Sequence, residues 1–254
     1  MRACIGQHFL IDKNIARKIV NSLNILPSDT IIEIGAGDGV LTAELKKFLS
    51  PKKIIAVEID KILAAKLAKK FYGIKIVNTD FLRWRVPKKR KLKFVANLPY
   101  YIATAIIHKI LHLNNWELAV FTIQKEVANR IKAQHGTTDY GILSVASQLF
   151  CKIEKLVEIP SSCFKPQPEV TSTVIKLTRL KKPLVTKNNE KNFFRVVKSA
   201  FLHRRKTILN SLAIELKVGR DILLKKLLQS GISPSARAEM VSINDFIKLT
   251  KVLF

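Results

Sequence analysis

Ile31-Ile32-Glu33-Ile34-Gly35-Ala36-Gly37-Asp38-Gly39 passes from a β-branched apolar run into three glycines spaced two apart. The first half reads as a buried strand and the second as a tight turn, and residues 41–49 carry a helical apolar period behind it. A strand that ends in such a turn and feeds a helix opens a mainly parallel sheet, whose ligands bind at the strands' carboxyl ends. Outward from this unit, short apolar runs at 53–59, 75–79, 93–97 and 118–123 alternate with helical periods at 16–23, 61–70 and 104–113. Two further strands, 153–159 and 172–177, flank a proline-punctuated loop at 161–168. The alternation predicts an α/β fold.

After Lys181-Lys182-Pro183 the strand signals stop. Helical periods follow at 193–199, 206–212, 221–228 and 245–253, with Ser242 or Asn244 as the cap of the last. The reading therefore gives two domains, residues 1–182 and an all-helical 183–254.

Charge narrows the choice of partner. Forty-five Lys and Arg stand against 19 Asp and Glu, a net +26. Such a chain repels itself unless a polyanion offsets the charge, so nucleic acid or an anionic surface is expected. No apolar run reaches about 18 residues, so no membrane span is predicted. Cys4, Cys151 and Cys163 are odd in number and scattered, which argues against a disulfide framework or a structural zinc. Met1-Arg2-Ala3-Cys4-Ile5 reads as neither a signal nor a transit peptide, and a cytoplasmic protein is expected. His108 and His112 are four apart on a helix but lack a third ligand, so no metal is predicted.

Glu58 ends the second strand about 20 residues past the glycines, placed to accept hydrogen bonds from ribose hydroxyls. Asp80 ends the third strand within Asn78-Thr79-Asp80-Phe81, where it can take an adenine amino group. Ile59 and Phe81 stand beside them and complete the set with Gly35 and Gly37. Dinucleotide folds share the GxGxG spelling, but Glu33 ahead of the glycines and Asp80 favour S-adenosylmethionine over NAD. The fourth strand then ends in Val95-Ala96-Asn97-Leu98-Pro99-Tyr100. Adenine N6 is a poor nucleophile because its lone pair is delocalised into the ring. A site that methylates it must hold the amino group with acceptors, here the Asn97 side-chain oxygen and the Leu98 carbonyl. Pro99 fixes the turn, and Tyr100 offers a face on which the base stacks. Positioning carries most of the rate, because the sulfonium cofactor supplies an activated methyl group.

With these motifs in place, the chain resembles the small-subunit ribosomal RNA adenine N6,N6-dimethyltransferase family over nearly its whole length. Gly6-Gln7-His8-Phe9-Leu10 is similar to that family's opening motif, which implies that His8 and Leu10 flank the cofactor along with Asn97. Phe164-Lys165-Pro166-Gln167-Pro168-Glu169-Val170 resembles a later motif, and the resemblance implies that Phe164 sandwiches the flipped base against Tyr100. Ala200 to Thr207 resembles a segment of the family's RNA-contacting helical domain. The resemblance implies a Rossmann-like seven-stranded class I methyltransferase sheet with a helical appendage. It also implies a substrate of two adjacent adenines near the 3′ end of small-subunit rRNA, each methylated twice within an immature subunit.

Arg204-Arg205-Lys206, read as part of a helical segment beside Phe201 and Leu209, is expected to grip phosphates. A monomer is expected. Macrolide-resistance methyltransferases of large-subunit rRNA share the cofactor and catalytic motifs, and an assembly factor with secondary catalysis is a rival of another class. The family's usual basic extension is short here, with only Arg2 basic ahead of Gly6. Glu169 stands where Lys is common, and Tyr101 adds a second aromatic after the catalytic turn.

Overall fold

The computed structural model describes residues 8–88 and 91–254; Gly6, Gln7, Arg2, Cys4 and part of the basic loop at 86–91 lie outside them. In chain order the elements are β1 (Phe9–Leu10), α1 (Lys13–Asn21), β2 (Thr30–Ile34), α2 (Val40–Leu45), β3 (Ile54–Glu58), α3 (Lys61–Lys70), β4 (Lys75–Asn78), β5 (Leu92–Asn97) and α4 (Ala103–Leu111). There follow β6 (Trp116–Gln124), α5 (Lys125–Lys132), α6 (Ile142–Phe150), β7 (Cys151–Ile159), β8 (Phe164–Lys165), β9 (Ser172–Arg179), α7 (Lys187–Leu202), α8 (Ile208–Leu216), α9 (Arg220–Gln229) and α10 (Ile243–Leu253).

Seven strands form one sheet in the order β4-β3-β2-β5-β6-β9-β7. The pairs from β4 through to β6 are parallel, and β9 lies antiparallel between β6 and β7. Every residue of β2 and β3 is buried, which is why both read as continuous apolar runs rather than alternating ones. From β2 the chain winds outward through β3 to β4, then returns to β2's other side as β5. Strand order reverses there, and a crevice opens outside the carboxyl ends of β2 and β5.

A second, two-residue ladder pairs β1 with β8 antiparallel, Leu10 opposite Phe164. The Ile11 amide extends it to the Cys163 carbonyl at 2.9 Å. Two-residue strands have no periodicity, so nothing local in the sequence announces them.

The chain divides into two compact units, one running to Ala128 and resuming over Cys151–Leu180, the other of Asn129–Phe150 with Lys181–Phe254. The second unit takes 129–150 as well as the residues from 181 on, whereas the sequence reading places 129–150 in the first domain. The segment's contacts explain the difference. The Gly136 amide donates to the Glu239 carbonyl at 2.7 Å, and the fully buried Tyr140 meets the Phe201 ring edge-on at 5.9 Å. Helix α6 is buried from Leu143 to Ser147 and again at Leu149 and Phe150, and it carries no charged residue.

Other expectations needed smaller changes. Helix α2 stops at Leu45 rather than 49, with turns over Lys46–Phe48. Arg204, Arg205 and Lys206 lie not in a helix but on the exposed turn between α7 and α8, where Thr207 caps α8. Ser242 caps α10, its Oγ accepting from the Asp245 amide.

Glu33 is 1 % exposed in the middle of the sheet, and its carboxyl accepts a 2.5 Å hydrogen bond from the Thr42 hydroxyl of α2. Burial pushes its pKa up to about 8, against the Thr42 bond, which pulls it down. The folded chain thus keeps this proton where the unfolded chain has released it. Stability from this group is full below the ordinary carboxyl pKa, falls as pH rises toward 8, and is level above that. Glu33→Gln keeps an acceptor for Thr42 and removes the titration. Denaturant unfolding at pH 5, 6.5 and 8 is expected to show wild type losing up to about tenfold in folding equilibrium per pH unit more than the variant. Parallel curves for the two proteins contradict the assignment.

Candidate active site

Three contiguous cavities lie over the crevice, and Gly35 borders all of them. The backbone there turns with φ +66°, and a Cβ added to Gly35 would meet nothing within 4 Å, so the space above it is open to a ligand. Gly37 is different. Its φ is +54°, and a Cβ would come within 3.0 Å of the Phe9 ring, so a side chain there would push on β1.

The first cavity is lined by Glu58, Ile59, Asp80 and Phe81, together with Val57, Pro99, Tyr101 and Ile106. All four residues assigned to the adenosine part of the cofactor therefore meet at one place. Glu58 is buried, and its two oxygens accept from the Gly37 amide at 2.8 Å and the Asp60 amide at 2.9 Å. Each oxygen retains a lone pair for a hydroxyl, and the carboxylate also pins the glycine turn to the end of β3. Asp80 folds the loop after β4 around itself. Its side chain accepts from the Leu82 amide at 2.8 Å, and its carbonyl accepts from Arg83 and Trp84.

The second cavity runs along the glycine turn past Phe9, Leu10, Glu33 and Gly37 to Asn97. The third is bounded by His8, Phe9, Asn97, Leu98, Pro99 and Tyr100. Asn97 borders both. Its amide nitrogen donates to the His8 carbonyl at 2.7 Å, which commits the NH2 end and leaves the side-chain oxygen as an acceptor. Leu98 is buried, with its amide bonded to the Thr122 carbonyl at 3.0 Å, so the turn is fixed to β6. The Tyr100 hydroxyl shares a 2.8 Å hydrogen bond with the buried Ser172 hydroxyl, and burial raises its pKa, so the phenol stays neutral. The His8 ring lies 5.4 Å from the Tyr100 ring, tilted by 31°. Its Nδ1–H donates to the Pro166 carbonyl at 2.7 Å.

Phe164 departs from expectation. It is 2 % exposed, packs into the core around Leu10, and lines neither cavity that Asn97 borders. The ring set against Tyr100 is His8. Phe164 instead anchors β1 by pairing with Leu10, which holds His8 above the site. Among the described residues no group of three or more His, Cys, Asp and Glu could hold a metal ion.

Sequence reading missed Lys109. From α4 its ammonium donates to the Phe81 carbonyl at 2.6 Å, the Trp84 carbonyl at 2.7 Å and the Leu82 carbonyl at 3.0 Å, and it lies 4.9 Å from the Phe81 ring centroid. All three N–H donors are used on the loop that carries Asp80 and Phe81. Burial lowers its pKa, while the nearby Asp80 charge raises it. In sequence it is a lysine on an amphipathic helix, indistinguishable from a solvated one. Lys109→Met leaves three carbonyls without their donor. It is expected to raise the cofactor KM about tenfold with little change in kcat, and Lys109→Arg to restore part of the loss. A fall in kcat at unchanged KM would contradict this positioning role.

Comparison with known proteins agrees with the geometry. A family model described as ribosomal RNA adenine dimethylase matches residues 1–254. A ribosomal RNA small subunit methyltransferase A of Clostridium perfringens is 38 % identical over 260 residues, covering 98 % of this chain and 89 % of that protein. One from Caldanaerobacter subterraneus is 40 % identical over 259 residues, covering 98 % and 96 %. Among solved structures, a dimethyladenosine transferase from Plasmodium falciparum superposes with a TM-score of 0.81 at 28 % identity, covering 95 % of this chain and 96 % of that one. The 23S rRNA methyltransferase ErmE gives 0.74, also at 28 % identity, covering 96 % and 99 %. S-adenosylmethionine is the methyl donor of this class of enzyme, and the open turn at Gly35 with the Glu58–Asp80 cavity fits it. The chain belongs to the ribosomal RNA adenine dimethylase family.

Proposed function

We propose that the enzyme dimethylates N6 of two adjacent adenines near the 3′ end of small-subunit rRNA, acting on an immature subunit in the cytoplasm as a monomer. The observation that carries the chemistry is the place of Asn97, on the wall shared by the cavity over the glycine turn and the cavity beside Tyr100. The substrate reading draws support from relatives named as small-subunit methyltransferases at 38–40 % identity. Among the described residues no helix is long and apolar enough to cross a membrane.

In this reading Glu58 and Asp80 hold the polar edge of the cofactor's adenosine, Ile59 and Phe81 cover its rings, and Leu10 closes the turn side. The bound sulfonium group supplies an activated methyl, so no base need deprotonate the amine before attack. The Asn97 side-chain oxygen and the Leu98 carbonyl accept from the target amino group and favour the pyramidal nitrogen that attacks. Tyr100 supplies the stacking face, its tilt fixed through Ser172. His8 borders the opposite side and limits entry to one planar base.

Contact with the rRNA backbone falls to the helical unit. Arg205 and Lys206 are exposed on the turn after α7, while the Arg204 guanidinium donates to the Thr138 carbonyl at 2.8 Å and braces that turn. Phosphate contacts of this kind add affinity without reading sequence.

Incubation with labelled S-adenosylmethionine and immature small subunits, large subunits or DNA tests the substrate, and labelling of the large subunit alone overturns it. Asn97→Ala is expected to lower kcat by about 100-fold; a normal rate removes the residue from catalysis. Replacing Arg205 and Lys206 by Ala is expected to flatten the plot of log affinity against log salt by about two units of slope. An unchanged slope would place the phosphate grip elsewhere.

A further inference from the structure

Within the second unit, at the amino-terminal end of α7, lies a cavity of about 330 Å³ that the methyl-transfer reaction does not use. Its apolar walls include the fully buried Phe193, half-buried Ile247 and the ring of Phe254, which is 56 % exposed. Its polar wall is made by Thr186, Asn189 and Asn192. Thr186 stands at the N-cap of α7 without a side-chain capping bond, and the two Asn side chains have no hydrogen-bond partner among the described residues. No carboxylate side chain lines the cavity, whereas Lys251 does, and the first turns of the same helix carry exposed Lys187 and Lys191 with Glu190 between them. The Arg195 guanidinium lies 5.5 Å from the Phe254 ring centroid.

We propose that this cavity receives one unstacked nucleobase of the RNA, a second contact besides the one to the target adenine. The inference rests on the reading that the helical unit binds rRNA. A base is flat and apolar on its faces, with donors and acceptors around its edge. The Phe254 ring, backed by a guanidinium, is a stacking platform that tolerates any base. Side-chain amides present both a donor and an acceptor, the complement of a base edge. The Lys251 ammonium at the rim meets a flanking phosphate, a charge match that an acyl chain or an acidic-residue-poor peptide would leave unused. Helix α7 has 16 residues, so this cavity and the Arg204–Lys206 turn stand at opposite ends of a rod of roughly 24 Å. Two grips so spaced fix the direction of a strand as well as its affinity.

The test uses the full chain and a short single-stranded oligoribonucleotide, with binding measured across a range of salt. The double variant Phe254→Ala and Asn192→Ala, both altered at side chains outside the closed core, is expected to bind about tenfold more weakly with the same salt slope. The same oligonucleotide carrying 4-thiouridine is expected to crosslink to residues 247–254. Unchanged affinity overturns the proposal, and so does a loss that comes with a flatter salt slope, since that reports phosphate contact alone. Failure of the rRNA reading itself would show separately, as absence of label on small subunits exposed to the wild-type protein.

Discussion

A single hydrogen bond, from the Asn97 amide to the His8 carbonyl at 2.7 Å, joins the tip of β5 to the strap that crosses above it. It decides which end of the Asn97 side chain is free, and therefore that the cavities it borders are offered an acceptor. The bond exists because β1 is held in place from elsewhere. The ladder to β8, the Ile11–Cys163 contact and the His8–Pro166 contact bind residues 8–11 to residues 163–166. The Asn97 side chain is thus oriented by a segment more than 60 positions further along the chain.

The crevice beneath that strap follows from topology. Parallel strands need crossovers, and each crossover helix covers a sheet face while leaving the carboxyl ends exposed. Only at the reversal between β2 and β5 do two neighbouring strand ends diverge, and Gly35 and Asn97 stand at those two ends. The cofactor cavity is then extended along β3 and β4, whose ends carry Glu58 and Asp80. The polar groups that shape it are held twice over. Glu58 reaches back to the glycine turn, and Asn78 donates to the Glu58 and Ile59 carbonyls at 2.9 and 3.0 Å. Lys109 performs the same service for the Asp80 loop from the opposite side. Such backing groups confine the contacting side chains to one arrangement before any ligand arrives, which is where positioning catalysis draws its rate.

Charge is organised on a different scale. A surplus of 26 positive charges over the whole sequence favours any polyanion. Charge of this kind attracts any polyanion alike, so specificity has to come from shape and from uncharged groups. Basic turns raise affinity everywhere along an RNA, and pockets choose where on it the chain stops.

The linear chain already determined most of the sheet. Apolar runs located the seven long strands to within two residues, and β2, β3 and β5 read most directly, because parallel strands covered on both faces are continuously apolar. It also marked the candidate site positions, since Gly35, Glu58, Asp80 and Asn97 stand at or just past the ends of strands. Helix α6 escaped notice because it carries no charged residue to mark an exposed face, and β1 and β8 because two residues cannot show a period. Folding alone assigned 129–150 to the helical unit, placed Phe164 in the core with His8 across from Tyr100, and gave Lys109 its three carbonyls. Local sequence encodes which face of an element is apolar. It does not encode which distant element meets that face, and every one of these features is a meeting of that kind.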